Sequence, residues 1–251
     1  MLKSNSLRLL PLFVTLALAG ELRADPPFFG TIFIDPDIIT AADPTTYVNL
    51  TYAGRGTRTM FDRRVDGLIT VNAFLFKAKY EDSKDLEIRV NPEFKTKAAA
   101  MRLARKYCKV IGRTPVCLRQ NLKTVSIHNG KKPFGGGSQD LLIHVLQGDE
   151  YVSQGILEET MVHELSHVSL DGLYAKSAGW VAAQNSDPEF ISQYAMDNPT
   201  REDVAESFLP YLALKHRRDR ISDELAASIA ATIPARIKFF KSKKLDVNPV
   251  D

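Results

Sequence analysis

The stretch that organises this chain is MVHELSH, residues 161–167, which contains the pattern His-Glu-x-x-His. Residues four apart lie on one face of a helix, so His163 and His167 are expected to present their imidazole rings side by side. Two such rings can hold one Zn²⁺ and leave a position for water. Glu164 follows the first histidine directly, where its carboxylate could reach that water as a general base. The pattern therefore predicts a zinc-dependent hydrolytic site.

The residues around this motif have a helical pattern of their own. Apolar Met161, Leu165 and Val168 recur at helical spacing, and Gly172 suits a position just past a helix C-terminus. A helix is therefore predicted over residues 155–171. Only five histidines occur in the 251 residues, and two of them fall in the motif, so a chance match has a probability on the order of 1%. The competing interpretation is a pair of surface histidines on a solvated helix.

The first 24 residues have the features of a secretory signal peptide. Lys3 and Arg8 precede an apolar run over residues 9–19, and small residues offer a cleavage site after Ala24. We therefore expect an exported protein, secreted or periplasmic. The apolar run is too short to span a bilayer, so no stable membrane insertion is expected. The net charge of +3 gives no strong field for phosphates and argues against a nucleic-acid partner.

Cys108 and Cys117 are the only cysteines. In an exported protein an even pair favours a disulfide. The bridge would close a short loop of turn-like composition and stabilise the fold by about 2–3 kcal/mol. The alternative is two buried free thiols, since cysteine is often buried without a partner.

A catalytic zinc usually takes three protein ligands, so a third ligand is needed from outside the motif. The best candidate segment is NPTREDVAESF, residues 198–208, with Thr200 as helix N-cap and Pro210 expected to kink or end the helix. Glu202 and Glu206 lie four apart and share a face, where Glu202 could bind the metal and Glu206 could orient a ligand histidine. Alternatively, acidic residues at this position only favour the helix N-terminus.

Together the two segments resemble the gluzincin metallopeptidases, in which a helical Glu is the third zinc ligand and an acidic residue follows one turn later. The closer resemblance is to the lethal-factor-like branch, named for the anthrax lethal factor protease. It is based on HELSH at 163–167, on Asp171, and on YAMDN at 194–198 leading into EDVAESF at 202–208. It covers roughly residues 141–212, whereas residues 25–120 contain no motif of this kind.

The resemblance implies a role for each of seven residues. They are the zinc ligands His163, His167 and Glu202, the general base Glu164, the oxyanion donor Tyr194, and the residues behind the ligands, Glu206 and Asp171.

The remaining pattern predicts a small mixed sheet followed by a mostly helical C-terminal part. Strands are expected at 30–34, 47–52, 71–76, 86–90, 123–128 and 140–147, and helices at 95–111 and at 221–240 with an interruption at Pro234.

The glycine run at 135–137 is interpreted as a flexible approach to the last strand. That last strand is expected to be an edge strand beside the metal, where it could pair with an extended substrate. His128 and His144 are expected to be hydrogen-bonded strand residues rather than ligands. The charged run at 55–66 is interpreted as a solvated surface or an internal ion-pair network.

We therefore expect a signal peptide, residues 1–24, followed by one α+β zincin-like catalytic domain, residues 25–251. The expected function is that of an exported zinc metalloendopeptidase that binds one Zn²⁺ and hydrolyses a peptide or protein substrate. Two alternatives remain open at this point. One is an exported binding protein with a structural zinc, and the other is a zinc hydrolase of a non-peptide substrate.

Overall fold

A six-stranded mixed sheet forms one side of the fold. The computed structural model describes residues 25–251, so the predicted signal peptide lies outside the described residues. The strands are β1 Tyr47–Asp62, β2 Gly67–Tyr80, β3 Leu86–Val90, β4 Thr124–His128, β5 Gly135–Gly137 and β6 Asp140–His144. Their spatial order is β1-β2-β3-β4-β6-β5. The central strands β3, β4 and β6 are parallel to one another, whereas β1, β2 and β5 pair antiparallel with their neighbours.

Ten helices account for most of the rest of the described chain. They are α1 Lys97–Ile111, α2 Val116–Arg119, α3 Val145–Gln154, α4 Leu157–Ser169, α5 Asp171–Tyr174, α6 Ala178–Ser186, α7 Gln193–Asp197, α8 Asp203–His216, α9 Asp223–Thr232 and α10 Pro234–Ser242. The predicted α+β class with a small mixed sheet and a helical C-terminal part is confirmed at this level. None of the helices in residues 25–251 has the length and apolar composition needed to cross a membrane.

The core lies between the sheet and helix α4. Ile88, Val125 and Ile143 of the central parallel strands are completely buried, as are Met161 and Leu165 of α4. Helix α4 is enclosed because it packs against α8, α2 and β5, and its buried residues include the polar Glu158, Glu159 and Ser166. The helix predicted over residues 155–171 is present as Leu157–Ser169, and within it only Glu164 and His167 are not fully buried.

Several local predictions agree with the structure. The strands at 86–90 and 123–128 and the helix at 95–111 correspond to β3, β4 and α1. The helix at 221–240 is interrupted at Pro234 as expected, where α9 ends and α10 begins. The strand at 47–52 is longer than predicted, because Gly54, with a φ of +95°, takes a bulge that lets β1 continue to Asp62 instead of ending.

Two predicted strands are wrong in whole or in part. Residues 31–33 form a 3-10 helix because the Thr31 N–H donates to the Glu206 carboxylate, 2.8 Å away, rather than to a neighbouring strand. The strand predicted over 140–147 ends at His144, and α3 begins at the next residue. The glycine run at 135–137 is not a flexible approach but the edge strand β5, so β6 is an interior strand.

The start of α8 differs from the prediction, and of the two outcomes predicted for Pro210 the helix does not end there. Its N-cap is Glu202 rather than Thr200. Pro210 lies inside the helix, which continues to His216. Leu209 and Leu212 on either side of the proline are fully buried, so packing outweighs the one hydrogen bond that the proline removes.

The predicted disulfide is wrong, because Cys108 and Cys117 are both free and buried. Cys108 lies in α1, where its carbonyl accepts a hydrogen bond from the Tyr80 hydroxyl. Cys117 lies in α2, whose backbone is held instead by the carbonyl of Asp246. The two thiols are therefore buried among different neighbours. Burial raises the pKa of each thiol to about 12, which keeps both protonated and unreactive.

Candidate metal centre

Helix α4 presents the two histidines of the motif on one face. The Nε2 atoms of His163 and His167 lie 3.1 Å apart. His163 is almost completely buried, and His167 is partly exposed towards a cavity of about 470 Å³. The one-turn spacing in the sequence thus produces two imidazole nitrogens aimed at the same point.

The N-terminus of α8 adds a carboxylate to this pair. Oε2 of Glu202 lies 3.5 Å from Nε2 of His163 and 3.1 Å from Nε2 of His167. This oxygen is buried, and apart from these two imidazole nitrogens it has no hydrogen-bond partner among the described residues. The three ligand atoms lie within 4.8 Å of one another. His163, His167 and Glu202 together could therefore hold a metal ion.

Carboxylates also contact the far side of each imidazole. Nδ1 of His167 is hydrogen-bonded to Oδ2 of Asp171 at 2.7 Å. Nδ1 of His163 lies 3.2 Å from Oε1 of Glu206. A partner on Nδ1 fixes the ring orientation and leaves Nε2 as the free ligand atom. Asp171 and Glu206 thus stand where the sequence predicts them.

Glu206 is itself held in place by two donors. Its Oε2 accepts the backbone N–H of Thr31 at 2.8 Å and the hydroxyl of Ser192 at 2.6 Å. Only Oε1 remains for His163. Thr31, near the start of the described residues, therefore helps to hold Glu206 behind His163, although no sequence motif around Thr31 indicates this.

The carboxylates around the two histidines favour positive charge at the centre of the cluster. Burial by itself would lower the pKa of both imidazoles, but Glu202 and Glu206 raise that of His163 to about 10, and Asp171 and Glu202 raise that of His167 to about 9. Burial likewise opposes ionisation of Glu202, yet the two imidazoles hold the pKa of this carboxyl well below its usual range. Without a bound cation the cluster therefore retains protons in compensation for its carboxylates.

Glu164 and Tyr194 line the same cavity as the three candidate ligands. Glu164 is half-buried, and its side chain has no hydrogen bond or ion pair with another residue in 25–251. Tyr194 is 40% exposed. Burial and the adjacent Glu202 carboxylate raise the pKa of its phenol to about 12, so the hydroxyl remains a hydrogen-bond donor at neutral pH.

The edge strand β5 passes directly over the motif. A Cβ built on Gly136 would lie 1.8 Å from the carbonyl oxygen of Glu164, a distance that no side chain permits. Glycine at this position is therefore what allows β5 to reach α4. The edge strand predicted beside the site exists, but it is formed by the glycine run and not by residues 140–147.

His128 and His144 belong to a different buried cluster. Nε2 of His144 lies 3.3 Å from Asp62, and Nδ1 of His128 is hydrogen-bonded to Asn91 at 3.0 Å. Arg64 also pairs with Asp62, at 2.7 Å. Both histidines are thus hydrogen-bonded strand residues, as predicted, and the charged run at 55–66 contributes in part to an internal ion-pair network.

Two arginines at the cavity were not singled out by the sequence. Arg201 donates to Oε1 of Glu202 at 3.2 Å and so leaves Oε2 of that carboxylate towards the histidines. Because Arg201 directly precedes Glu202 in the sequence, its contact with that carboxylate could have been predicted. Arg63 lines the cavity from the turn between β1 and β2, and no local pattern predicts that approach.

Comparison with known proteins adds no relative to this picture. No family model, no curated protein and no solved structure matches the chain. The functional argument therefore depends on the geometry of the site itself.

Proposed function

We propose that the protein is an exported zinc-dependent metallopeptidase of the gluzincin type, with a zincin-like catalytic domain. The observation that supports this most strongly is the convergence of Nε2 of His163, Nε2 of His167 and Oε2 of Glu202, at 3.1 to 3.5 Å from one another. Ligand atoms about 2.0–2.1 Å from a tetrahedral zinc are separated from one another by about 3.3 Å. The donor set and its spacing therefore fit zinc.

Two further features favour a catalytic site over a structural one. Structural zinc sites usually have four protein ligands, whereas catalytic sites have three and keep one position open. Here three candidate ligands border a cavity that also contains Glu164 and Tyr194. An open position next to a free carboxylate and a phenol is typical of hydrolysis.

The protein groups would divide the chemistry among them. A zinc ion held by His163, His167 and Glu202 would supply Lewis-acid activation of a water molecule and of the scissile carbonyl. Glu164 would accept a proton from the attacking water and pass it to the leaving amine. The Tyr194 hydroxyl would donate a hydrogen bond to the developing oxyanion. An extended peptide could pair with the free edge of β5, which borders the same cavity.

The test combines metal content with turnover. The mature chain, purified without chelating steps, is expected to contain about one zinc per chain, and His163→Ala and Glu202→Ala are each expected to lose it. Glu164→Gln should retain zinc but cleave a peptide library about 100-fold more slowly or worse, because the general base is removed. Glu224→Gln, on the exposed side of α9, is the matched control and should behave as the parent.

Two results would contradict the proposal. One is a Glu164→Gln protein that cleaves as fast as the parent. The other is a parent that binds no zinc even after supplementation.

A further inference from the structure

The hairpin formed by β1 and β2 extends beyond the rest of the sheet. Since β3 pairs with only the C-terminal part of β2, residues 57–72 have no third strand beside them, and we call these residues the hairpin arm. The arm is attached across the sheet by charged contacts. Arg58 pairs with Glu87 of β3 at 2.8 Å, and Asp62 lies 3.3 Å from Nε2 of His144 in β6.

A second cavity, of about 650 Å³, lies between the hairpin arm and strands β5 and β6. It is separate from the cavity at the candidate metal ligands but shares three lining residues with it, namely Arg63, Gly136 and Gly137. The two cavities therefore meet at the edge strand. A peptide bound along β5 would have access to both.

Two cations without partners line this second cavity. Arg63 and Lys123 are exposed, and neither side chain forms a hydrogen bond or ion pair within residues 25–251. The Arg63 guanidinium lies against the backbone of β5, since a Cβ on Gly135 would come within 2.7 Å of its Nη2. Because Gly135 has no side chain, the Arg63 guanidinium can lie at the point where the two cavities meet.

The other charged groups of the cavity are already satisfied. Arg89 is paired with Glu87 at 2.5 Å. Asp140, the one carboxylate among the lining residues, accepts hydrogen bonds from the hydroxyls of Thr124 and Ser126, and burial raises its pKa. The cavity lining therefore carries two cations, Arg63 and Lys123, that form no ion pair within residues 25–251, against a single carboxylate, Asp140, which is occupied by hydrogen bonds.

The shape of the lining suits a side chain with an apolar stem. Leu68 and Leu142 border the cavity together with Phe61, and Leu68 is 72% exposed. A glutamate side chain would place its methylene groups against these residues and its carboxylate near the cations. Arginine is well suited to this contact because its planar fork matches a carboxylate.

We propose that the cavity beneath the hairpin arm is a binding subsite for a glutamate side chain of a peptide, with Arg63 and Lys123 as its carboxylate-binding residues. The proposal rests on the proposed peptidase function in one respect only, which is that the bound peptide is a substrate. Binding itself requires no turnover, so it can be measured in a protein that does not cleave.

The experiment compares two pools of short peptides, blocked at both ends and labelled with a fluorophore. One pool has glutamate at a fixed position, and the other has glutamine there. Binding to the Glu164→Gln protein is followed by fluorescence anisotropy at low salt. The glutamate pool is expected to bind about tenfold more tightly, and raised salt should reduce this difference because the cations are exposed.

Substitutions of the lining residues test whether the preference for glutamate over glutamine arises in this cavity. The double variant Arg63→Ala/Lys123→Ala is expected to bind both pools equally, whereas Arg63→Lys should keep part of the preference because it keeps the charge. The control Arg102→Ala/Lys238→Ala removes the same number of exposed charges from α1 and α10 and should leave the preference unchanged. Circular dichroism during heating verifies that every variant is folded.

The outcomes separate this proposal from the proposed function. Equal binding of the two pools, absence of binding by either pool, or an equal loss of preference in the control would overturn the subsite. If the parent cleaves no peptide but Arg63 and Lys123 still select glutamate, the subsite stands and the peptidase proposal fails. If the parent cleaves peptides without any preference for glutamate, the peptidase proposal stands and the subsite fails.

Discussion

At the scale of single residues, the candidate ligands depend on the carboxylates behind them. Asp171 lies four residues after His167 and is hydrogen-bonded to its Nδ1 at 2.7 Å. Glu206 takes the corresponding place behind His163, although it comes from another helix. Each carboxylate fixes a ring and increases the basicity of the opposite nitrogen. The metal affinity proposed for this site should therefore depend also on residues that are not candidate ligands.

Asp171→Asn tests this dependence. The amide has no negative charge, so it orients and polarises His167 less well, and the zinc affinity is expected to fall about 10- to 100-fold. The measurement is a competition titration against a chelator of known affinity. Asp149→Asn removes an exposed carboxylate that pairs with Lys106 and should leave the affinity unchanged. A zinc affinity in Asp171→Asn equal to that of the parent would contradict the role given to Asp171.

The buried imidazole of His128 should make the free energy of unfolding depend on pH in the acid range. Burial lowers the pKa of its imidazole to about 4, whereas the unfolded chain binds this proton near pH 6.5. Between these values the unfolded state holds more protons, so the free energy of unfolding should fall as the pH is lowered from about 6.5 to about 4. The loss from this residue is about 3 kcal/mol. Above pH 6.5 it contributes no pH dependence.

Urea denaturation of the metal-free protein at several pH values measures this effect. His128→Gln cannot take up the proton and should show a flatter dependence between pH 4 and 6.5. His216→Gln, which removes a partly exposed histidine paired with Asp251, provides the comparison. Identical slopes in the parent and in His128→Gln would show that the buried imidazole is not responsible.

At the scale of elements, the site depends on the close approach of β5 to α4. Gly136→Ala places a methyl group 1.8 Å from the Glu164 carbonyl oxygen, and because that atom is backbone, the strand or the helix must move. The free energy of unfolding is expected to fall by about 1–3 kcal/mol, and peptide cleavage should fall as well because Glu164 is displaced. Both are measured on the same preparation, by urea denaturation and by turnover.

A second glycine is the control for this substitution. A Cβ on Gly172, in helix α5, has no atom within 4 Å, so Gly172→Ala should be neutral or stabilise by about 0.4–1 kcal/mol. If the two alanine variants had equal stability and activity, the close approach of β5 to α4 would not be a requirement of the fold.

At the scale of the whole molecule, a buried ion triad joins the C-terminal helix to the candidate metal centre. Arg236 of α10 is completely buried and pairs with Asp187 at 2.9 Å and with Asp203 at 3.0 Å. Asp203 directly follows Glu202 in the chain. The triad therefore connects α10, the segment before α7 and the start of α8, and it fixes the backbone next to a candidate ligand.

Arg236→Ala leaves two buried carboxylates without their partner. We expect the free energy of unfolding to fall by about 3–5 kcal/mol and the zinc affinity to fall in the variant that remains folded. Arg218→Ala removes an arginine from an exposed pair with Asp223 and should cost about 1 kcal/mol or less. Urea denaturation of both variants measures the difference, and a cost for Arg236→Ala as small as that for Arg218→Ala would contradict the structural role of the triad.

The agreement between prediction and structure depends on how local each feature is. The spacings His163–His167 and Glu202–Glu206 could be interpreted from the sequence because residues one helical turn apart always share a face. The limits of β3 and α1 followed from short apolar patterns in the same way. The prediction that Cys108 and Cys117 form a disulfide failed because closeness in the chain does not determine which way two side chains point in a packed core.

The sequence by itself determined a helix over residues 155–171, found at 157–169, the face on which its two histidines lie, and a second helix that begins at two glutamates one turn apart. These are consequences of backbone geometry within a single element. Only the tertiary structure decided that Glu202 meets the histidines, that the glycine run becomes the edge strand β5, and that Arg63 reaches this strand from a distant hairpin. Such contacts join residues far apart in the chain, and they are set by how the apolar faces of all the elements pack together. No local pattern contains that information.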